Sequence, residues 1–262
     1  MKRSVKALIA VLLLLAIAAG CLIPVSRLMG WFAPGNAAEY SVASTETDPD
    51  SPLKGKRVIF LGSSVTKGMS ARSESFVDFL EKKDGLVVVK EAVSGTTLVD
   101  DKDNSYVSRM KTIDPDFKAD AFVCQLSTND ATKGKEFGKV SKSYKLKDFD
   151  TQTIAGAMEY IIAYAEQTWD CPVLFYTDVQ YDSADYEKMI DLLYQVQKKW
   201  GIGVLDLWND ASMNAVSEEE HKLYMANDIH PARAGYREWW LPKFETFLSE
   251  TLLEENTLSE AA

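Results

Sequence analysis

The stretch "VIFLGSSVTKG", residues 58–68, runs an apolar strand into a Gly-Ser-Ser turn. An unbroken apolar run of this length suits a strand buried on both faces of a parallel sheet. One small polar residue is enough for a turn, so two adjacent serines at the end of a buried strand need a reason. A serine here does chemistry, or the loop cradles a phosphate, or it is only a turn.

The same alternation continues downstream. "LVVVKEAV", "DAFVCQLS", "CPVLFYTDV" and "GVLDLW" read as four further strands. Between them, "SESFVDFLEKK", "TIAGAMEYIIAYAEQTW" and "SADYEKMIDLLYQVQKKW" carry helical apolar spacing, the last with Ser183 as its N-cap. A final helix is expected after Pro231, around "GYREWWLPKFETFLSETL", with Pro242 placed to kink it. Strands alternating with helices predict a five-stranded parallel sheet covered on both faces. In such folds ligands bind at the C-terminal strand edge, where "GSSVTKG", "SGTT", "STND" and "NDIHP" are expected to gather.

The chain has 262 residues, enough for one α/β domain with appendages. Four of its 29 basic residues (Lys2, Arg3, Lys6, Arg27) precede residue 28, leaving 25 against 39 acids beyond. A domain this acidic repels nucleic acid. Residues 7–25 are uncharged, and at ~1.5 Å per helical residue they approach a ~30 Å hydrocarbon core. Basic residues ahead of that run place the N-terminus inside and the rest outside, at the cell membrane. Two alternatives stay open: a lipoprotein anchored at Cys21, from "LAIAAGC", or a cleaved secretory peptide. The expected organisation is a membrane segment over 1–29, a flexible linker over 30–54, the α/β domain over 55–255 and a disordered tail over 256–262. Cys124 and Cys171 fall in or beside apolar strands and read as buried thiols; a disulfide needs those strands adjacent.

Among the loops, "GSSVTKG" fails the P-loop pattern, with five residues between Gly62 and Gly68 and Met-Ser following. A flavin-phosphate loop remains as an alternative. The two histidines differ in setting: His221 lies in the charged stretch "SEEEHKLY", His230 in "ANDIHPARAGY" before a helix-starting proline.

Four blocks in order, "FLGSSVTKG", "VSGTT", "QLSTND" and "NDIHPARAGY", resemble those of the SGNH (GDSL-type) hydrolases. The resemblance covers roughly residues 56–248 and fits the membrane-tethered bacterial type. It implies a flavodoxin-like three-layer α/β sandwich and a serine esterase needing neither cofactor nor metal. By the same resemblance Ser64 is the nucleophile, His230 the base, and Ser64, Gly95 and Asn129 the oxyanion donors, with Ser63 a substitution in the turn. A serine hydroxyl needs a base within reach, and the intermediate's oxyanion needs preorganised donors.

The pattern departs in the last block, where Asn227 holds the family's Asp position and Asp228 is displaced by one. Asp228 as substitute carboxylate, a backbone carbonyl orienting His230, or a weakened enzyme or binder are the three readings. After Asn129, "ATKGKEFGKVSKSYKLKDFD" concentrates six lysines with interleaved aromatics. It is a solvated loop, or it contacts an anionic substrate through residues such as Lys133, Lys135 and Phe137. The expected substrate is an ester on surface carbohydrate or lipid.

Overall fold

The computed structural model describes residues 24–26 and 28–259, with side chains to residue 253. Five strands, β1 (Arg57–Gly62), β2 (Val87–Ala92), β3 (Ala121–Gln125), β4 (Val173–Tyr176) and β5 (Gly203–Leu205), form one sheet in the order β2-β1-β3-β4-β5. Every neighbouring pair is parallel, with Val58 in register with Ala121 and Cys124 with Phe175.

Period-two alternation sends side chains to two cores. Val58, Phe60, Ala121, Val123 and Leu174 face one cluster, which includes Phe76, Trp240 and Phe244. Ile59, Leu61, Phe122, Cys124 and Phe175 face the other, with Tyr106, Ile161 and Leu193. The first layer holds α2 (Phe76–Asp84) and the last helix, whose Phe76 and Phe244 rings stack at 3.8 Å between centroids. The second layer holds α3 (Tyr106–Met110), α5 (Ile154–Trp169) and α6 (Ala184–Trp200), with Ser183 capping the last through Tyr186 N–H. Three short helices lie at the C-terminal strand edge or the loops leading to it: α1 (Ser64–Lys67), α4 (Thr128–Thr132) and α7 (Glu218–Tyr224).

The final helix differs in detail from the expectation. Its ladder opens to π geometry over Gly235–Trp240, then runs as α8 over Leu241–Ser259. Pro242 supplies no N–H, so the irregular turn falls where the ladder must lose a bond. Because α8 reaches Ser259, it extends past residue 256, where a disordered tail was expected.

Residues 30–54 also depart from the flexible linker expected of them. Pro34–Asn36, Ala38–Tyr40 and Val42–Ser44 form 3₁₀ turns laid across the domain. Polar side chains hold this strap, which is why it has no periodic signature. Buried Asn36 donates to Gly30 O and Ser70 O, both at 2.7 Å, and accepts from Arg233 N at 3.0 Å. Val42 N–H reaches Glu74, and Ser51 reaches Asp84.

The membrane-spanning helix expected over residues 7–25 and the lipidation alternative at Cys21 lie outside the described residues, apart from the run's last two residues. No helix among the described residues is long and apolar enough to cross a membrane. Cys124 and Cys171 are both buried and not joined by a disulfide.

Candidate active site

The turn after β1 is held from beneath. Gln125, at the end of β3 and buried, accepts from Ser63 N at 2.9 Å and from Thr66 Oγ1 at 2.8 Å through one amide oxygen. A side chain at Gly62 would place its Cβ 1.7 Å from Thr66 Oγ1, so this close approach demands glycine. Ser64 opens α1, and its N–H therefore has no intrahelical acceptor.

His230 arrives on a loop closed by an antiparallel bridge between Met225 and Pro231, with Ala226 N donating to His230 O at 2.9 Å. Its Nε2 lies 2.8 Å from Ser64 Oγ, and its Nδ1 lies 2.8 Å from Asn227 Oδ1. Which atom of the Asn227 amide faces the ring follows from its other partners. Backbone N–H groups of His230 and Ile229 donate to that same oxygen at 3.0 and 3.2 Å. The Nδ2 points the other way and donates to Leu28 O and Ser70 Oγ, both at 3.4 Å. The ring nitrogen facing an acceptor must carry the proton, which leaves the Nε2 lone pair aimed at Ser64. Burial pulls the His230 pKa down to about 4, so the ring is neutral at pH 7.

Asp228 is exposed, and the position beside Nδ1 belongs to Asn227. Neither the displaced carboxylate nor a backbone carbonyl orients the ring. Residues 226–229 bend, and the turn that lets Asn227 Oδ1 accept from Ile229 N–H and His230 N–H also turns that oxygen to the ring.

Asn129, in the first turn of α4, directs its Nδ2 to Thr96 O at 3.1 Å and Ser63 Oγ at 3.2 Å. Ser63 is thus more than a substitution in a turn, because its hydroxyl helps position that amide. Gly95 has φ +79° with open space where a Cβ would sit, so backbone conformation and not crowding favours glycine. The Gly95 loop is tied down by two side chains. Arg109, 7 % exposed, donates to Gly62 O at 2.8 Å, Glu91 O at 3.0 Å and Thr96 Oγ1 at 3.1 Å. Asp130, fully buried, accepts from Leu98 N at 2.8 Å and Val99 N at 3.2 Å, and burial pushes its pKa up to about 6.

Asp130→Ala is expected to leave both N–H groups without acceptors and cost about 2–4 kcal/mol, measured by urea denaturation. The variant also loses a pH dependence. A carboxyl with a folded pKa above its unfolded value withdraws stability as pH rises from about 4 to about 6.

The lysine-rich segment splits. Lys133 Nζ reaches Gly95 O at the rim of the site. Lys135 is engaged by Asp101, whose pKa it lowers, and Phe137 packs against the core while its carbonyl caps Ala155 N–H. Only Lys133 of these stands beside the reactive loops.

Sequence reasoning missed Gln125, Arg109, Asp130 and the strap contacts at Leu28, Asn36 and Ser70. Gln125 left one signal, a polar residue ending the apolar run "AFVCQ".

This geometry pairs a serine hydroxyl with an oriented imidazole beside backbone and amide donors. The family model for GDSL-like lipase/acylhydrolases matches residues 60–238, which spans both the serine turn and the histidine loop. The chain belongs to that family. As a GDSL-like acylhydrolase it is an SGNH-type hydrolase. Solved structures share its fold. A protein from Lactobacillus plantarum has 23% identity and a TM-score of 0.62, covering 76% of this chain and 98% of its own. A GDSL-like lipase from Bacteroides ovatus has 16% identity and a TM-score of 0.56, covering 76% and 100%. A lipolytic protein of the G-D-S-L family from Desulfitobacterium hafniense has 18% identity and a TM-score of 0.55, covering 74% and 99%. No curated protein matches the chain.

Proposed function

We propose that this hydrolase cleaves carboxylic O-acyl esters, with Ser64 as nucleophile and His230 as base. The carrying observation is the Ser64 Oγ to His230 Nε2 approach of 2.8 Å, with Nδ1 held by the Asn227 oxygen. Ser64 Oγ attacks the ester carbonyl as Nε2 takes its proton. The oxyanion is received by the N–H groups of Ser64 and Gly95 and by Asn129 Nδ2, which gives up its resting partners. Collapse expels the alcohol, protonated by His230. Water, deprotonated by the same ring, then releases the acid and restores Ser64.

The amide at Asn227 supports a working but slower enzyme. It fixes the tautomer but brings no negative charge to the imidazolium that forms. That missing charge is also what favours a second reading, a weakened enzyme or a non-catalytic ligand-binding module on the same fold.

The uncharged run over residues 7–25, with basic residues ahead of it, supports a membrane-tethered enzyme facing outward. For that location, acylated surface carbohydrate or lipid is the natural substrate class.

Fluorophosphonate labelling tests the chemistry without knowledge of the substrate. Oγ displaces fluoride from phosphorus, so intact mass should show one adduct on the wild type and none on Ser64→Ala or His230→Ala. A folded wild type that takes no label would replace this reading with the binding module.

A further inference from the structure

Among the described residues, eight large hydrophobic side chains are exposed, and four of them fall together at Val25, Leu28, Trp31 and Phe32. Phe32 is 84 % exposed, so its ring forgoes most of the stabilisation that burial would contribute. The others, Val87, Tyr144, Tyr194 and Leu253, are scattered along the chain. No charged residue occurs from 28 to 38, although the domain beyond is strongly acidic.

The segment is not a loose tail. The Leu28 carbonyl accepts from Ser70 Oγ at 2.5 Å and from the Asn227 amide. Asn36 ties the strap to Ser70 O and Arg233 N. A Cβ on Gly30 would lie 2.1 Å from Ser70 O, and one on Gly35 2.0 Å from Leu223 O, so the backbone itself is seated on the domain. Apolar side chains are thereby held facing outward on a rigid base. That base also carries the residue that orients His230.

We propose that Val25, Leu28, Trp31 and Phe32 are a bilayer-contact patch that seats the Ser64–His230 pair at a phospholipid surface. The uncharged run over residues 7–25 ends at Val25, and Ser26 and Arg27 alone separate it from Leu28. A membrane that receives the run therefore also meets the patch, with a cation where headgroup phosphates lie. Trp and Phe beside such a run suit the interface between acyl chains and headgroups. A second copy of the chain fits less well, because four side chains fall far short of the roughly 20–30 residues a side of a stable dimer. The consequence is a restriction on substrate: the esters taken are those carried at the membrane surface. This consequence rests on the esterase reading, whereas the lipid contact does not.

The test uses the full chain in nanodiscs of phosphatidylethanolamine and phosphatidylglycerol. In the first arm dibrominated acyl chains quench tryptophan emission, and Trp31→Phe serves as the reference that isolates Trp31. Quenching of the Trp31 contribution is expected; its absence overturns the proposal, as does a cross-linked dimer that shields Trp31 from the bromines. In the second arm the double variant Trp31→Ser/Phe32→Ser is compared with wild type on two esters, one borne by the bilayer and one soluble. A loss of about tenfold or more on the bilayer-borne ester, with the soluble ester unchanged, is expected. Equal rates on both, or equal losses on both, overturn the seating role. Quenching in a chain that hydrolyses neither ester sinks the esterase reading and leaves the lipid contact standing.

Discussion

Replacing Ser64 with alanine is expected to lower turnover of a small soluble acyl ester by about 10⁵–10⁶-fold. His230→Ala should cost a similar factor, and the double variant little more than either single change. The hydroxyl and the imidazole, 2.8 Å apart, act as one unit, so removing either removes the reaction path. What survives in both variants is stabilisation by the donors around Gly95 and Asn129. Multiplicative losses in the double variant would show that the two residues act independently. A loss of less than about tenfold in Ser64→Ala would mean that another group attacks the ester. Stability should change little in the serine variant, since its side chain is small and the hydrogen bond its hydroxyl loses is the one to the ring.

The second large effect concerns Asn227. In serine-protease triads an Asn in place of the Asp costs about 10⁴ in kcat because it presents the wrong tautomer. Here the amide oxygen faces Nδ1, fixed there by the N–H groups of Ile229 and His230. The tautomer part of that cost is therefore avoided, and only the charge is missing. Asn227→Asp supplies the charge beside the ring but turns its second oxygen toward the Leu28 carbonyl, which now accepts from Nδ2. Ser70, whose hydroxyl can rotate, offsets part of that repulsion. The net expectation is a rise in kcat of about 10–10²-fold above neutral pH.

The pH profile should move with it. Neutral imidazole is the active form, so wild-type kcat/KM falls only as pH drops through about 4. A carboxylate favours the charged ring and shifts that limb upward, so the gain shrinks as the solution becomes more acidic. Because the chain contains only His221 and His230, ¹⁵N imidazole spectra can read the ring's pKa and tautomer directly. An unchanged limb together with an unchanged kcat would show that Asn227 is not the group that orients His230.

Much of the fold was legible because burial is periodic over short distances. Residues 57–62, 121–125 and 173–176 read as strands because each alternates between two cores and is buried on both faces. Ser183 marked a helix start because its hydroxyl caps a backbone N–H three residues on. The strap over residues 30–54 read as a linker because its 3₁₀ turns carry no amphipathic stripe, and Asn36 holds it through partners far along the chain.

The candidate site divides along the same line. Parallel strand order brings the segments after β1, β2 and β3 to one edge, and it was the resemblance of four sequence blocks to the SGNH hydrolases that nominated Ser64, Gly95, Asn129 and His230. The sequence could not say that the Asn227 oxygen meets the ring. That requires the loop to fold so that the N–H groups of Ile229 and His230 and the His230 ring converge on one oxygen, while the opposite side of the amide meets the Leu28 carbonyl 199 residues away. Nor could it tell that Lys135 is spent on Asp101, 34 residues upstream, while Lys133 reaches the rim. Apolar periodicity is a local pattern with few solutions. The partners of a buried polar group are set by contacts that any donor or acceptor can satisfy, and only the folded chain determines which one does.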